Sequence, residues 1–382
     1  MKLKLTKPNN YLYCGMFLMI LKTFIFYSTL FSYPDWIDTV LQVSATFCFV
    51  IEILRQKYSI KNLVIYAIIT VLSLISCFVV KEWGMLITVI TCLAIRRHDF
   101  NSVIEFIYKY ELVFFIIHIC IAILLSLFGF ELTSTYNGEI VYNMGFVHRN
   151  TLSAIIFNIM MMWVWLNYEK IRLKNITTLI IIEFVVYAFV KTKTSTIIFV
   201  FSMLIIIFNK YLNSEVVNKI INLVSSWIVP FMSILFYYFM TLFTSSNKII
   251  FFIDNLLTGR IRLNSYIFQE YGLSIFGQNI TDYIAVWNET YELSGKVTFD
   301  CTYTYLMISR GIVWIILISV LFFFLSRKKD VKTNTFLIMW ALYAVTEICV
   351  INCYMSFQML LVVLLFNKSS FIYTKNKDAI CK

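Results

Sequence analysis

Basic side chains gather in two polar segments of a chain that is otherwise apolar. One segment is Gly145-Phe146-Val147-His148-Arg149-Asn150, and the other contains Gly259-Arg260-Ile261-Arg262. Arginine presents planar, bidentate donors to phosphate, and a helix that begins after a Thr258-Gly259 turn adds free N–H groups and a positive dipole. The arginines of the second segment therefore suit a diphosphate. An exposed arginine pair without a ligand is the alternative interpretation.

Acidic and imidazole groups near these cations could supply acid-base chemistry. His148 lies where a predicted span begins, Asp300 lies just before another span, and Glu347 lies in a late span. Each of them is a candidate base for a hydroxyl group. His98 falls in a predicted cytoplasmic loop and His118 in the inner half of its predicted span. We therefore expect His148 to be the histidine that meets the polar segments.

Further charged residues lie close to the predicted ends of spans. The turn Lys191-Thr192-Lys193-Thr194 places two lysines on the predicted outer side, against the positive-inside tendency, which favours cations kept for a ligand. Lysines that simply extend to water are the alternative. Arg310 lies within about two helical turns of a span end. It is a ligand-binding candidate, and an Arg310–Glu347 pair that only joins two helices is the alternative.

The composition places these residues in an integral membrane protein. The chain has 382 residues, of which 60% are hydrophobic and 14% charged, and its mean hydropathy is +0.81. A soluble domain carries roughly 25% charged residues. Runs of about 17 to 25 apolar residues are long enough to cross a bilayer as helices. The predicted spans are 11–32, 36–54, 62–80, 83–95, 112–130, 151–167, 176–190, 195–209, 220–243 and 303–326, with two short ones within 334–367.

These runs predict an all-α polytopic protein with about twelve transmembrane helices in a single membrane domain, residues 1–382. Lysine and arginine occupy every second loop, so both termini are predicted to be cytoplasmic. Residues 131–150 and the large loop 244–302, for which we expect short helices, then face outward. Residues 97–111 carry Phe100, Val103, Ile104 and Ile107 on one face, which predicts an amphipathic helix on the cytoplasmic surface.

The charge and the cysteines exclude other classes of partner and site. The net charge of +11 is explained by topology and by attraction to anionic membrane lipid, and it requires no nucleic acid. The nine cysteines have no C-x-x-C spacing. No His/Cys/Asp cluster has metal-ligand spacing and no nucleotide motif occurs. We therefore predict neither a metal nor a cofactor.

Gly145-Phe146-x-His148-x-Asn150 resembles the G-F-x-H-P-N signature of Wzy-like polysaccharide polymerases of bacterial capsule, exopolysaccharide and O-antigen systems. Leu257-Thr258-Gly259-Arg260 followed by Tyr271-Gly272-Leu273-Ser274-Ile275-Phe276-Gly277 is also similar to that family. Asp300-Cys301-Thr302-Tyr303 before Arg310-Gly311 resembles its D-x-x-Y element, and Glu347 matches its late acid. The matches cover roughly residues 143–366.

Two positions depart from the family pattern. Arg149 stands where the family usually has proline, and Lys193-Thr194-Ser195-Thr196 resembles a T-x-S-R element that has lost its arginine. Lys191 or Lys193 could supply that charge instead. The resemblance assigns His148, Asp300 and Glu347 to catalysis. The resemblance and the residue types together give the candidates for substrate binding: Arg149, Asn150, Lys191, Lys193, Arg260, Arg262, Tyr303 and Arg310.

The resemblance implies a GT-C-like helical enzyme without metal in the bacterial cytoplasmic membrane. Such an enzyme joins oligosaccharide repeat units carried on undecaprenyl diphosphate at the outer face, so its partners would be that lipid-linked oligosaccharide and membrane lipid. A flippase and a chain-length regulator of the same pathway are further candidate partners. Tyr283, Trp287 and Tyr291 offer stacking faces for sugars.

Two other functions remain as alternatives. O-antigen ligases use the same lipid donor but carry a histidine after the large loop, and this chain has none there. A flippase of lipid-linked oligosaccharides is the alternative from a different class. Transporters commonly show two comparable halves and a central polar cavity, whereas the polar residues of this chain are expected at one face.

Overall fold

The computed structural model describes residues 10–136, 138–212, 214–243, 247–257, 259–280 and 299–366. These residues are predominantly helical, and the sheet formed among them has two strands. The elements are α1 (Asn10–Phe26), α2 (Asp35–Leu54), α3 (Ile60–Val80), α4 (Gly84–Ile95), α5 (Phe100–Ser126), β1 (Thr133–Tyr136), β2 (Glu139–Tyr142), α6 (Arg149–Asn167), α7 (Leu173–Val190), α8 (Lys193–Ile207), α9 (Glu215–Leu242), α10 (Lys248–Leu256), α11 (Arg260–Tyr271), α12 (Thr302–Tyr305), α13 (Ile312–Ser326) and α14 (Val331–Tyr343).

The helix lengths confirm a polytopic α-helical membrane protein. Among the described residues, seven helices are long and apolar enough to cross a bilayer, namely α2, α3, α5, α6, α7, α9 and α8 extended by the π-helical turn Phe208–Leu212. Three shorter apolar helices are α1, α4 and α13. The total of about twelve spans stays a prediction.

Local capping explains where several of these helices begin. The side chains of Asp99, Ser214, Asn247 and Asp330 each accept the backbone N–H of the residue three positions later. Each cap satisfies one of the N–H groups that a helix start leaves without a partner. The starts of α5, α9, α10 and α14 are thus encoded by single short polar residues.

The chain packs as two compact units, each discontinuous in sequence. The first consists of the described residues in Met1–Leu63, Ile90–Ile207 and Cys353–Lys382. Its helices α1 and α2 pack closely, since a Cβ on Gly15 would lie 2.7 Å from the Phe49 ring. The buried Glu111 carboxylate accepts two hydrogen bonds from the Asn158 side chain, whose Oδ1 accepts the Phe357 N–H at 2.9 Å. That network joins α5, α6 and the 3₁₀ helix Phe357–Leu365.

Helix α5 corrects the prediction of a separate surface helix at 97–111. Phe100, Val103, Ile104 and Ile107 do share a buried face, but the helix continues without interruption to Ser126. No proline or glycine lies between Phe100 and Ser126, so nothing in the sequence ends the helix near residue 111. The amphipathic pattern marks the first turns of one long helix.

The second unit consists of the described residues in Val64–Val89 and Phe208–Asn352. Helix α9 packs on α13 and α14, and aromatic rings fill the space between elements. The Phe236 and Tyr303 rings stack with centroids 5.7 Å apart, and the Phe322 and Trp340 rings meet edge to face at 4.9 Å. The segment predicted as the large loop contains α10 and α11.

The predicted span 303–326 is broken near its start, which corrects that prediction. Helix α12 leads into a π-helical turn, Leu306–Arg310, and α13 begins only after Gly311, whose φ is +104°. The irregular segment 274–278 runs beside the break. Its backbone exchanges hydrogen bonds with Met307, Ser309 and Ile312, and the Gln278 side chain donates to the Ile308 carbonyl at 3.0 Å. The segment thereby satisfies backbone groups that a broken helix would leave unpaired.

Gly311 is expected to be indispensable at this break. A Cβ there would lie 2.4 Å from the Ile275 carbonyl oxygen, and the positive φ disfavours any side chain. Gly311→Ala should reduce the free energy of unfolding by at least about 3 kcal/mol. Gly84→Ala is the control, because nothing lies within 4 Å of a Cβ at Gly84. Equal thermal unfolding of the two purified variants in detergent would contradict the packing described.

Candidate functional site

A buried arginine at the start of α11 brings together residues from three separate parts of the sequence. The Arg260 Nε lies 3.7 Å from Asp300 Oδ2, and its Nη2 lies 4.0 Å from Glu347 Oε1. The arginine is 6% exposed. Three of the predicted site residues therefore form one charged group, which we call the Arg260 cluster. The Thr302 hydroxyl donates to the Glu347 carbonyl and joins the two acidic segments.

The backbone at Gly259 positions Arg260. Gly259 adopts φ +82° as the residue preceding α11, so the chain turns sharply and the helix begins at Arg260, as the Thr258-Gly259 pair predicts. The Asp254 backbone carbonyl accepts the Gly259 N–H at 2.8 Å, and an oxygen of its side chain accepts the Arg262 N–H at 3.0 Å. Asp254 thus satisfies donors on both sides of the helix start.

The Arg260 side chain is held without strong hydrogen bonds. Its Nε and Nη1 atoms are buried and have no hydrogen-bond partner among the described residues. The distances to the two carboxylates exceed those of N–H···O hydrogen bonds. Buried donors in proteins are nearly always paired with protein groups, water or ligand. The described part of the site therefore leaves two buried guanidinium donors with unused hydrogen-bonding capacity.

The net charge of the Arg260 cluster is not positive. The cluster contains one guanidinium and two carboxylates, so its net charge is −1 when both carboxylates are ionised and zero when one is protonated. A diphosphate is stabilised by an excess of cations. The described part of this cluster is therefore better suited to neutral hydrogen-bonding groups than to a highly anionic one.

Arg262 forms an ion pair with Asp254, and its assignment to substrate binding stays a prediction. Its Nε lies 3.4 Å from Asp254 Oδ2, and the Asp254 side chain is fully buried. An ion pair with a buried carboxylate is costly to break, since the remaining charge would be uncompensated. Arg262 therefore stabilises the turn that carries Arg260.

Arg310 is likewise committed to a structural role, and its predicted alternative partner is also wrong. The guanidinium is 2% exposed, pairs with the Glu82 carboxylate and donates to the Tyr305 hydroxyl at 2.7 Å. Glu347 lies instead beside Arg260. The Arg310 network joins the π-helical turn to the residues after α3.

Tyr303 packs inside the second unit, and its predicted role in binding substrate stays a prediction. It is 1% exposed, and its hydroxyl donates to the Ala341 carbonyl at 2.8 Å. Its ring stacks on Phe236. Of the D-x-x-Y element, Asp300 is therefore the member that belongs to the Arg260 cluster.

The first unit contains a group of cations, which we call the Lys191 group. The Lys191 Nζ lies 2.8 Å from Glu139 Oε2 on β2, and the Arg149 Nη1 donates to the Lys191 carbonyl at 3.4 Å. The hydrogen bond and charge of Lys191 lower the pKa of Glu139 below its ordinary value, and the charges of Lys193 and Arg149 add to that effect. With three cations and one carboxylate, this group has a net charge of +2.

Helix starts add to the positive potential of the Lys191 group. Arg149 is the first residue of α6 and Lys193 the first residue of α8, so both lie where the helix dipole is positive. Lys191 itself has φ +55°, in the left-handed region that is uncommon for a residue with a side chain. Lys193 is exposed. This group has the excess of cations that a diphosphate requires.

His148 caps α6, which argues against its use as a base. Its Nδ1 accepts the Asn150 N–H at 3.1 Å. A neutral imidazole that accepts at Nδ1 carries its proton on Nε2. In that state the ring is a hydrogen-bond donor toward a ligand. The carboxylates of the Arg260 cluster are then the better candidates for the base.

His118 meets the same segment as His148, contrary to the prediction from sequence. Its Nε2 lies 3.1 Å from the Met144 carbonyl oxygen, and its ring stacks on Phe146 at 3.9 Å. It lies in the C-terminal half of α5 because that helix begins at Phe100, earlier than the predicted span. A Cβ on Gly145 would lie 2.2 Å from the Leu30 side chain, so the glycine of this motif is required for close packing.

Three acidic partners were missed from the sequence: Glu82, Glu139 and Asp254. Each pairs with a cation distant from it in sequence or across a turn, and none belongs to a recognised motif. Tyr283, Trp287 and Tyr291 lie outside the described residues. No group of three or more His, Cys, Asp or Glu in the described ranges could hold a metal ion. Comparisons with protein-family models, curated proteins and solved structures give no match.

The Arg262–Asp254 pair makes a prediction that separates structural from ligand-binding arginines. Arg262→Ala leaves a buried carboxylate without its cation and should reduce the free energy of unfolding by about 3 kcal/mol. Lys248→Ala, which removes an exposed cation from α10, should change it by less than about 0.5 kcal/mol. Thermal unfolding of the purified variants measures both. A stable Arg262→Ala protein would show that the pair contributes nothing.

Proposed function

We propose that the protein polymerises oligosaccharide repeat units carried on undecaprenyl diphosphate at the outer face of the bacterial cytoplasmic membrane. The growing glycan leaves its lipid diphosphate and is transferred to a hydroxyl of a new lipid-linked unit. The proposal includes about twelve spans, a GT-C-like fold and cytoplasmic termini. A flippase and a chain-length regulator of the same pathway are its proposed partners.

The observation that carries this proposal is the Arg260 cluster. Arg260, Asp300 and Glu347 come from three motifs that are separated by at least 40 residues in sequence, and their charged groups lie within 4.0 Å. Each lies in a segment that resembles a different element of one enzyme family. Packing alone seldom buries a guanidinium, because a desolvated charge costs several kcal/mol unless it is balanced, as Arg260 is here by Glu347 and the partly exposed Asp300.

The chemistry of the transfer requires groups that the chain contains. The acceptor hydroxyl transfers its proton to a carboxylate, Asp300 or Glu347, as its oxygen forms a bond to the anomeric carbon of the donor. The bond from that carbon to the diphosphate oxygen breaks, and the diphosphate takes the electron pair. Developing charge on the leaving group requires cations. Among the described residues, Arg149, Lys191 and Lys193 form a group with an excess of cations.

The two alternatives lack a comparable observation. A flippase needs a substrate path but no base, and the carboxylates of the Arg260 cluster would then have no chemical role. A ligase uses the same donor and differs in its acceptor. The family's ligases carry a histidine after the large loop, and the chain has no histidine beyond His148.

Isosteric replacement of the carboxylates tests the proposal. Glu347→Gln or Asp300→Asn, whichever removes the base, should reduce polymer synthesis by about 100- to 10,000-fold, because a general base typically contributes that factor. Arg260→Lys should retain part of the activity, since lysine keeps the positive charge but lacks the planar pair of N–H donors of the guanidinium. The measurement is polymer yield in a deletion strain that carries each variant at equal membrane abundance, with Lys248→Ala as the control.

The same deletion strain separates polymerisation from transport. A strain without the protein should accumulate single lipid-linked units on the outer leaflet. Accumulation facing the cytoplasm would favour the flippase. Wild-type polymer from the Glu347→Gln, Asp300→Asn double variant would remove these carboxylates from the reaction.

A further inference from the structure

Asn264 adds a third unsatisfied polar atom to the Arg260 cluster. It lies one helical turn after Arg260 on the same face of α11 and is 1% exposed. Its Nδ2 donates to the Arg260 carbonyl at 2.7 Å, which orients the amide. Its Oδ1 is buried without a hydrogen-bond partner among the described residues. A buried acceptor therefore accompanies the two unused donors of Arg260.

The combination of unused donors and an unused acceptor selects the type of ligand. A diphosphate only accepts hydrogen bonds, so it could satisfy Arg260 but would leave Asn264 Oδ1 unpaired and would face two carboxylates. A hydroxyl group both accepts and donates. Its oxygen can accept from Arg260, and its hydrogen can be donated to Asn264, Asp300 or Glu347. The distances of 3.7 and 4.0 Å between the charged groups are too long for direct hydrogen bonds, so the carboxylates leave the Arg260 donors without a partner.

We infer that the Arg260 cluster, with Asn264, binds hydroxyl groups of the acceptor sugar and does not bind the lipid diphosphate. The inference rests on the proposed polymerase function and goes beyond it, because it assigns the acceptor glycan to a defined set of side chains and gives Asn264 a role in binding. Arg260 holds the acceptor oxygen and balances the carboxylates. Asn264 accepts from a hydroxyl of the same sugar.

The experiment separates the two halves of the lipid-linked substrate. One probe is the lipid-free repeat-unit oligosaccharide, released by mild acid from the units that accumulate in the deletion strain. The other probe is undecaprenyl diphosphate, which carries no sugar. The equilibrium binding of each probe to the purified full-length protein in nanodiscs is measured for the wild type, Asn264→Ala, Arg260→Gln and Lys191→Gln.

Asn264→Ala should weaken binding of the oligosaccharide by about 3- to 10-fold, as expected for the loss of one hydrogen bond, and Arg260→Gln by more. Both should bind undecaprenyl diphosphate within about twofold of the wild type. Lys191→Gln should weaken binding of undecaprenyl diphosphate and leave binding of the oligosaccharide unchanged, because Lys191 belongs to the group with a net charge of +2. Gln269→Ala, an exposed position near the end of α11, is the control and should change neither affinity.

Equal binding of the oligosaccharide to the wild type and Asn264→Ala, whether strong or weak, would overturn the inference. So would a loss of undecaprenyl diphosphate binding in Arg260→Gln that matches the loss in Lys191→Gln. Asn264→Ser, which keeps a small polar side chain, replaces Asn264→Ala if the alanine variant elutes as aggregate in size-exclusion chromatography. Polymer synthesis by the wild type in the deletion strain is a separate readout. If the wild type makes no polymer there, the proposed polymerase function is rejected. If it makes polymer but the variants bind the oligosaccharide as the wild type does, only the assignment of the acceptor site is rejected.

Discussion

The burial of the Arg260 guanidinium is the constraint on which the second unit is organised. A desolvated charge must be balanced, and removing a partner from a buried pair typically costs 3–5 kcal/mol. Asp300 and Glu347 supply the balance from segments that are distant in sequence. Gly259 and Asp254 shape the helix start that carries the arginine. The turn, the short helix and the two acidic segments are thus tied to one side chain.

The structure contains two charged groups of different character. The Arg260 cluster has no excess of cations and offers unused donors and an unused acceptor to a ligand. The Lys191 group has a net charge of +2 and lies at the starts of α6 and α8. The first kind of environment suits a hydroxyl that loses its proton, and the second suits a group that carries negative charge.

Much of the helical framework could be predicted from hydropathy, because each apolar run must satisfy its own backbone in a membrane. The bounds of α2, α4 and α6 agree with the predicted spans to within two residues. The break at Gly311 could not be predicted, since it depends on hydrogen bonds from the distant segment 274–278. The roles of Arg262, Arg310 and His118 were missed for the same reason. Motif position marked Arg262 and Arg310 as candidates and the predicted span placed His118 elsewhere, whereas the partners of all three residues are determined by tertiary packing.

Reconstitution of the purified protein with lipid-linked repeat units tests the central claim most directly. The units are extracted from the deletion strain and added to the protein in nanodiscs without any other enzyme. The account predicts a ladder of glycans on lipid, with one undecaprenyl diphosphate released for each unit added. Lipid-linked units that stay unchanged in the presence of folded wild-type protein would contradict it.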